Sequence, residues 1–167
     1  MANKQFKLEG FLTYAKVFPE NLDKGEFHIK KGGAYVCNFY YKKQEDIDAM
    51  IAAGVPTDQL GYPTFREDPD GPGIGVYTKL KRVHQGPFVN DDGVDVFGGP
   101  PKVYDWTDGP SAKEWSHDDD GPLGNGSEVM VVIDFWTTKN GKGLRLDQLA
   151  VVDAVEYAAE EPISLAG

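Results

Sequence analysis

The strongest constraint on this chain's fold is a pair of long apolar segments near its C-terminus, separated by an Asn-Gly dipeptide. The first segment, 127–138, has apolar side chains at every second position: Val129, Val131, Ile133 and Phe135. A period of two places these side chains on one face of a β-strand. Asn140-Gly141 favours a tight hairpin turn, and the apolar run 144–155 follows it. We therefore predict a long C-terminal β-hairpin.

Further strands and one helix are predicted upstream of the hairpin. Alternation over 33–41 assigns one face to the core, formed by Tyr35, Cys37, Phe39 and Tyr41, and leaves Tyr40 exposed on the other face. Strands are also expected within 5–18, over 76–83 and around 102–106. The segment 45–54 has acidic residues in its first turn, apolar residues at helical spacing and a terminal glycine, and these features predict an α-helix.

Glycine and proline divide the sequence into short pieces, with 20 and 11 copies respectively. Such a composition favours short strands joined by turns. We expect 56–75 to be a surface loop and 107–126 to be an acidic, turn-rich insertion without a helix. The predicted fold is mainly β, with about five strands, one α-helix and long loops. The 167 residues suit one domain over 1–167, with its core at 5–158 and a C-terminal tail at 159–167.

Several classes of protein are excluded by composition. No stretch approaches the roughly 20 apolar residues that cross a bilayer, and the N-terminus lacks the apolar core of a signal peptide. Cys37 is the single cysteine, so an internal disulfide and a cysteine-based zinc site are excluded. A reducing, cytosolic setting is expected.

The net charge of −10 at first argues against a polyanionic partner. The acidic residues are concentrated in 101–167, however, which contains thirteen acidic and five basic residues. Exposed charges are screened beyond about 8 Å at physiological salt. A locally basic groove could therefore still bind phosphates.

Catalytic and metal-binding patterns are weak. The three histidines lie in unrelated contexts, and Cys37 alternates with core aromatics, as a buried structural thiol does. His117 followed by Asp118, Asp119 and Asp120 lacks the alternating spacing of a calcium loop. We predict no catalytic residue, no metal site and no cofactor.

Aromatic and basic residues alternate on several predicted strand faces. Bases can stack on such rings while cations contact phosphates, although lysines at alternate strand positions are also typical of an ordinary solvated face. We predict DNA contacts from three groups: Tyr77, Lys79 and Lys81 with the adjacent Arg82; Lys102, Tyr104 and Trp106; and Lys30 and Lys31, which precede the strand of Tyr40.

The C-terminal half carries a recognisable order of motifs. Gly124-Asn125-Gly126-Ser127 opens a long strand, Gly141-Lys142-Gly143-Leu144 opens the next one, and the N-terminal half adds 12–21, the strand over 33–41 and a helix. This order resembles the small single-stranded DNA-binding replication proteins of tailed bacteriophages. The resemblance spans about 8–157 in patches. It implies an oligonucleotide-binding (OB) fold, a five-stranded partly open barrel.

The resemblance also implies a function, with two departures from the family pattern. Members carry lysines along the penultimate strand, whereas Glu128, Met130 and Val132 occupy it here, so no DNA contact is assigned to that strand. Members also end in a long acidic tail that recruits replication proteins. This chain ends at Gly167 without one, so the tail is either reduced or missing.

The expected function is therefore sequence-independent binding of single-stranded DNA during phage DNA replication and recombination, in the cytoplasm of the infected bacterial host. Duplex DNA and replication proteins are left open as further partners. Two alternatives remain. One is a phage structural or assembly domain that makes protein contacts, and the other is a small metal-assisted enzyme acting through His117 and the three following aspartates.

Overall fold

The computed structural model describes residues 2–22, 33–59, 62–84, 91–92, 98–138 and 141–155. Lys30 and Lys31 lie outside these described residues. The elements in chain order are β1 (Ala2–Lys16), a 3-10 turn (Pro19–Asn21), β2 (Ala34–Tyr41), α1 (Gln44–Ala52), β3 (Asp58–Gln59), β4 (Tyr62–Pro63), β5 (Arg66–Glu67), β6 (Val76–Val83), β7 (Lys102–Asp105), α2 (His117–Asp120), β8 (Ser127–Thr138) and β9 (Gly141–Asp153). Neither described helix is long and apolar enough to cross a membrane.

Seven strands form one sheet in the order β5-β6-β2-β1-β8-β9-β7, and β3 pairs with β4 separately. Within the large sheet, β7 pairs with β9 in parallel and the other pairs are antiparallel. Among the described strands, the sheet does not close on itself. The predicted mainly β, open architecture is confirmed, with seven strands in the sheet instead of about five.

The C-terminal hairpin supplies the centre of this sheet, as its alternation predicts. β8 lies between β1 and β9, so that Leu8 is opposite Val131 and Val131 is opposite Leu149. Opposite residues in an antiparallel pair point to the same face, and these three side chains are buried. The strand assignments for the hairpin are therefore confirmed, while its turn at 139–140 lies outside the described residues.

The predicted core face of β2 is also confirmed. Tyr35, Phe39 and Tyr41 are fully buried, and Cys37 is 2% exposed. The Tyr41 hydroxyl lies 2.8 Å from Thr78 Oγ1 on β6, and burial raises the pKa of Tyr41 well above its usual range. The helix α1 contacts this strand: the Tyr41 hydroxyl also donates to Met50 Sδ at 3.5 Å.

Two expectations about the loops are wrong in part. The insertion 107–126 contains the short helix α2, whose first backbone groups are capped by Ser116. A serine before a run of acids is a favourable helix start, and this signal outweighed the turn-forming composition. The stretch 56–75 contains the two-residue strands β3, β4 and β5, which are too short to produce a visible alternation.

Candidate nucleic-acid interface

The outer side of β1, β2 and β6 carries a row of lysines. In the strand register Lys16 is opposite Val36, and Val36 is opposite Lys81. In the neighbouring row Asn38 is opposite Lys79. Side chains in directly opposite positions share a face, so the strands bring together what we call the lysine face: Lys16, Val36, Asn38, Lys79 and Lys81.

The three lysines of this face are exposed, and none forms an ion pair with a carboxylate in the described part of the chain. Neighbouring strands lie about 4.8 Å apart, so the backbones of Lys16 and Lys81 are roughly 10 Å apart across β2. These three lysines, unpaired within the described residues, form a local cationic surface. Their chemistry suits phosphate oxygens, which accept hydrogen bonds from lysine.

Tyr77 lies at one end of this surface, opposite Tyr40 in the register, and Tyr40 is buried although it was predicted to be exposed. Tyr40 is 4% exposed, its ring stacks on that of Tyr77 with centroids 4.9 Å apart, and its hydroxyl donates to Asp68 Oδ2 at 2.5 Å. Burial, followed by the Asp68 carboxylate, raises the pKa of Tyr40 to about 12.

The prediction that Tyr40 is exposed is wrong because the loop after β5 covers it. Gly71 in this loop lies so close to the Tyr40 ring that a Cβ would clash. Tyr40 is therefore buried beside Tyr77, its cross-strand neighbour on β6, and Tyr77 is half-buried.

Arg82 has several partners within the protein. Its Nε donates to the Gly99 carbonyl at 2.7 Å, one terminal nitrogen donates to the Leu146 carbonyl at 3.3 Å, and the Asp147 carboxylate lies 3.8 Å away. Burial is the main cause of the lowered pKa of Arg82. A bond between β6 and β9, which have three strands between them in the sheet order, requires the sheet to curl. Arg82 thus bridges the open side of the sheet, and its contact with DNA stays a prediction.

The second predicted group lies on β7, at the edge of the sheet, and on the residue that follows it. Lys102 is exposed, and Tyr104 and Trp106 are half-buried. Trp106 Nε1 donates to the Ser111 carbonyl at 2.8 Å, which fixes the indole, and Tyr104 forms a bridge with Glu114. The structure does not place this group on the lysine face. The Gly99 bond to Arg82 nevertheless links the segment before β7 to the end of β6.

Sequence reasoning missed Lys16 and its neighbour Tyr14. Tyr14 is 70% exposed and lies in an irregularity of the β1–β2 register between Thr13 and Lys16. A signal was present in the sequence, because the apolar residues Phe6, Leu8 and Leu12 fall on even numbers, whereas Ala15 and Val17 fall on odd numbers. Such a change of phase indicates a β-bulge.

A separate cluster joins Glu20, His117 and Asp118, whose potential ligand atoms lie within 4.8 Å of one another. The two carboxylates are exposed, and the His117 ring packs against Phe18 with centroids 5.2 Å apart. Exposed acidic groups of this kind are common without a metal ion. The arrangement gives no ground for assigning a metal centre.

The fold described above is that of bacteriophage single-stranded DNA-binding proteins. The chain is similar to gp2.5, a single-stranded DNA-binding protein encoded by bacteriophage T7, with a TM-score of 0.58 and 17% identity over 99% of this chain and 98% of that one. It is also similar to the single-stranded DNA-binding protein from bacteriophage Enc34, with a TM-score of 0.53 and 15% identity over 96% of this chain and 87% of that one.

The Enc34 protein has also been solved in complex with single-stranded DNA, and that structure matches with a TM-score of 0.53 and 16% identity over 93% of this chain and 89% of the other. No family model and no curated protein matches the sequence. The resemblance inferred from the sequence is therefore confirmed at the level of the fold.

Proposed function

We propose that this protein binds single-stranded DNA without strong sequence preference. The observation that carries the proposal is the lysine face, where three exposed lysines on β1 and β6, unpaired within the described residues, flank β2. The fold of the chain is shared with phage proteins that bind single-stranded DNA, and one of those structures contains the nucleic acid. Phosphate contacts carry no sequence information, so a lysine surface suits non-specific binding.

The mechanism combines two kinds of contact. The lysines hold the phosphates and release the counterions condensed around them, which makes the affinity fall with salt. Exposed ring faces then stack on bases, each at roughly 1–3 kcal/mol. At one end of the lysine face, Tyr77 is held by its stack on the buried Tyr40 opposite it and is the proposed stacking ring there. On β7 and directly after it, Lys102, Tyr104 and Trp106 extend the same contacts to a longer stretch of single-stranded DNA.

The proposed role is protection of single-stranded DNA during phage DNA replication and recombination, in the host cytoplasm. Binding is the whole function in this proposal, and no catalytic step is included. Acidic residues remote from the lysine face contribute little at physiological salt, since the screening length is about 8 Å. The negative net charge is thus compatible with a local cationic surface.

Fluorescence anisotropy of a labelled mixed-sequence oligonucleotide tests this function directly. The titration is made at two salt concentrations and repeated with unlabelled duplex of equal length as competitor. Tight binding that weakens with salt and is poorly competed by duplex supports the proposal. Equal competition by duplex would indicate a protein that follows the backbone of either form, and no binding at low salt would exclude DNA as the partner.

A further inference from the structure

Tyr14 is unusual among the described residues in two respects. Its backbone φ is +50°, and no other described residue except glycine has a positive φ. Its side chain is also 70% exposed, so burial of the ring does not compensate for the backbone. A bulky residue in the left-handed region is strained, and strained residues tend to occur at functional sites.

The surrounding structure holds this conformation firmly. The Tyr14 N–H donates to Asn125 Oδ1 at 2.7 Å, and the Gly126 N–H donates to the Leu12 carbonyl at 2.8 Å. The Asn125-Gly126 turn therefore binds β1 on both sides of Thr13. The turn is itself anchored, because the Gly124 N–H donates to the Val155 carbonyl at 2.9 Å.

Tyr14 also lies next to the lysine face. Its near neighbour along β1 is Lys16, which is opposite Val36 in the register. On its other side is Thr13, opposite Asn38, and Asn38 is opposite Lys79. Along β1, the backbone of Tyr14 thus lies between the two lysine-bearing rows, next to the path proposed for the phosphates.

We propose that Tyr14 is a base-stacking residue, held in a strained bulge by Asn125, that gives this protein its preference for single-stranded over duplex DNA. The proposal rests on the proposed function above. A ring can stack on the face of an unpaired base, whereas bases in a duplex already stack on their neighbours and offer only their edges in the grooves. Lysines contact the phosphates of both single-stranded and duplex DNA. The ring of Tyr14 therefore supplies the discrimination between them.

The test compares Tyr14→Phe, Tyr14→Ala and Tyr14→Gly with the wild-type chain. Phenylalanine keeps the ring and is expected to keep the affinity for single-stranded DNA. Alanine and glycine remove it and are expected to weaken that affinity about 5- to 150-fold, which corresponds to ~1–3 kcal/mol. Binding of duplex DNA should be unchanged in all three variants.

Stability separates a binding role from a structural one. Glycine adopts positive φ readily, so Tyr14→Gly should melt at a temperature equal to or above that of Tyr14→Ala while binding equally weakly. If Tyr14 had only a structural role, the affinity of each variant for single-stranded DNA would rise or fall with its melting temperature. Asn125→Ala should weaken binding of single-stranded DNA in the wild-type background and have no further effect in the Tyr14→Ala background, since Asn125 acts through Tyr14.

The possible failures are distinct. If the wild-type chain does not bind single-stranded DNA at low salt, the proposed function fails, and this inference fails with it. If the wild-type chain binds but Tyr14→Ala and Tyr14→Gly bind equally well, only the stacking role of Tyr14 is overturned. Equal weakening of single-stranded and duplex binding would likewise overturn its role in discrimination.

Discussion

Replacing Lys79 and Lys81 together by alanine should flatten the salt dependence of single-stranded DNA binding. Both side chains are exposed on β6, and neither forms an ion pair in the described part of the chain. Because no carboxylate among the described residues competes for them, we expect each to neutralise one phosphate. Arg82, in the same strand, already binds Gly99 and Leu146 and is left unchanged.

The size of the effect follows from counterion release. Each neutralised phosphate of a single strand contributes about −0.7 to the slope of log affinity against log salt. Losing two contacts should therefore reduce the slope by about 1.4. Between 50 and 200 mM salt, the wild-type chain would lose roughly sevenfold more affinity than the double variant.

The assay is an anisotropy titration at four or more salt concentrations. The matched control is Lys4→Ala with Lys43→Ala, which makes the same change in net charge at two exposed lysines outside the lysine face. Lys4 lies ten residues before Tyr14 in β1, roughly 33 Å along an extended strand. A double variant with the wild-type slope, or a control that flattens the slope equally, would refute the assignment of these contacts to the lysine face.

Three further predictions concern stability and reactivity. Tyr40→Phe removes the hydroxyl that donates to Asp68 and should lower the free energy of unfolding by roughly 1.5–3 kcal/mol in urea denaturation; an unchanged midpoint would contradict this role. Gly143→Ala places a Cβ against the Trp136 ring and should lower the free energy of unfolding by about 1–3 kcal/mol. If adding Trp136→Ala to this variant recovers none of the loss, the clash is not its cause. Burial raises the pKa of Cys37 from 9.0 to about 12, which lowers the thiolate fraction at pH 8 about a thousandfold; a thiol reagent should therefore label the chain only after denaturation, and rapid labelling of the native protein would disprove it.

Periodicity in the sequence was sufficient for the long elements. The β6 strand has the predicted bounds, Val76–Val83, and α1 lies within one residue of its predicted start. Their signals are strong because each buries one face against the core, so that apolar residues recur with the period of the element. The hairpin of β8 and β9 follows the same rule.

Periodicity could not supply what depends on packing between distant segments. Alternation correctly put Tyr40 on the outer face of β2, but the loop that buries it comes about thirty residues later, and its contact depends on Gly71. Arg82 is similar, since its partners Gly99 and Leu146 are far away in the chain. An alternating pattern assigns a side chain to a face, and the rest of the fold decides whether that face is open.

The contrast between an acidic protein and a cationic face can be explained by which charges are paired. Within the described residues, basic side chains that meet a carboxylate include Lys42 with Glu128 at 2.6 Å and Arg145 with Asp134 at 3.0 Å. The lysines of the lysine face meet no carboxylate in that part of the chain. At about 0.15 M salt the screening length of roughly 8 Å lets a bound phosphate interact mainly with these lysines, whereas at 0.01 M it reaches about 30 Å and includes the net charge of the whole chain. The increase in affinity on lowering salt should therefore level off at the lowest concentrations, because repulsion by the acidic residues grows as the attraction of the lysines does.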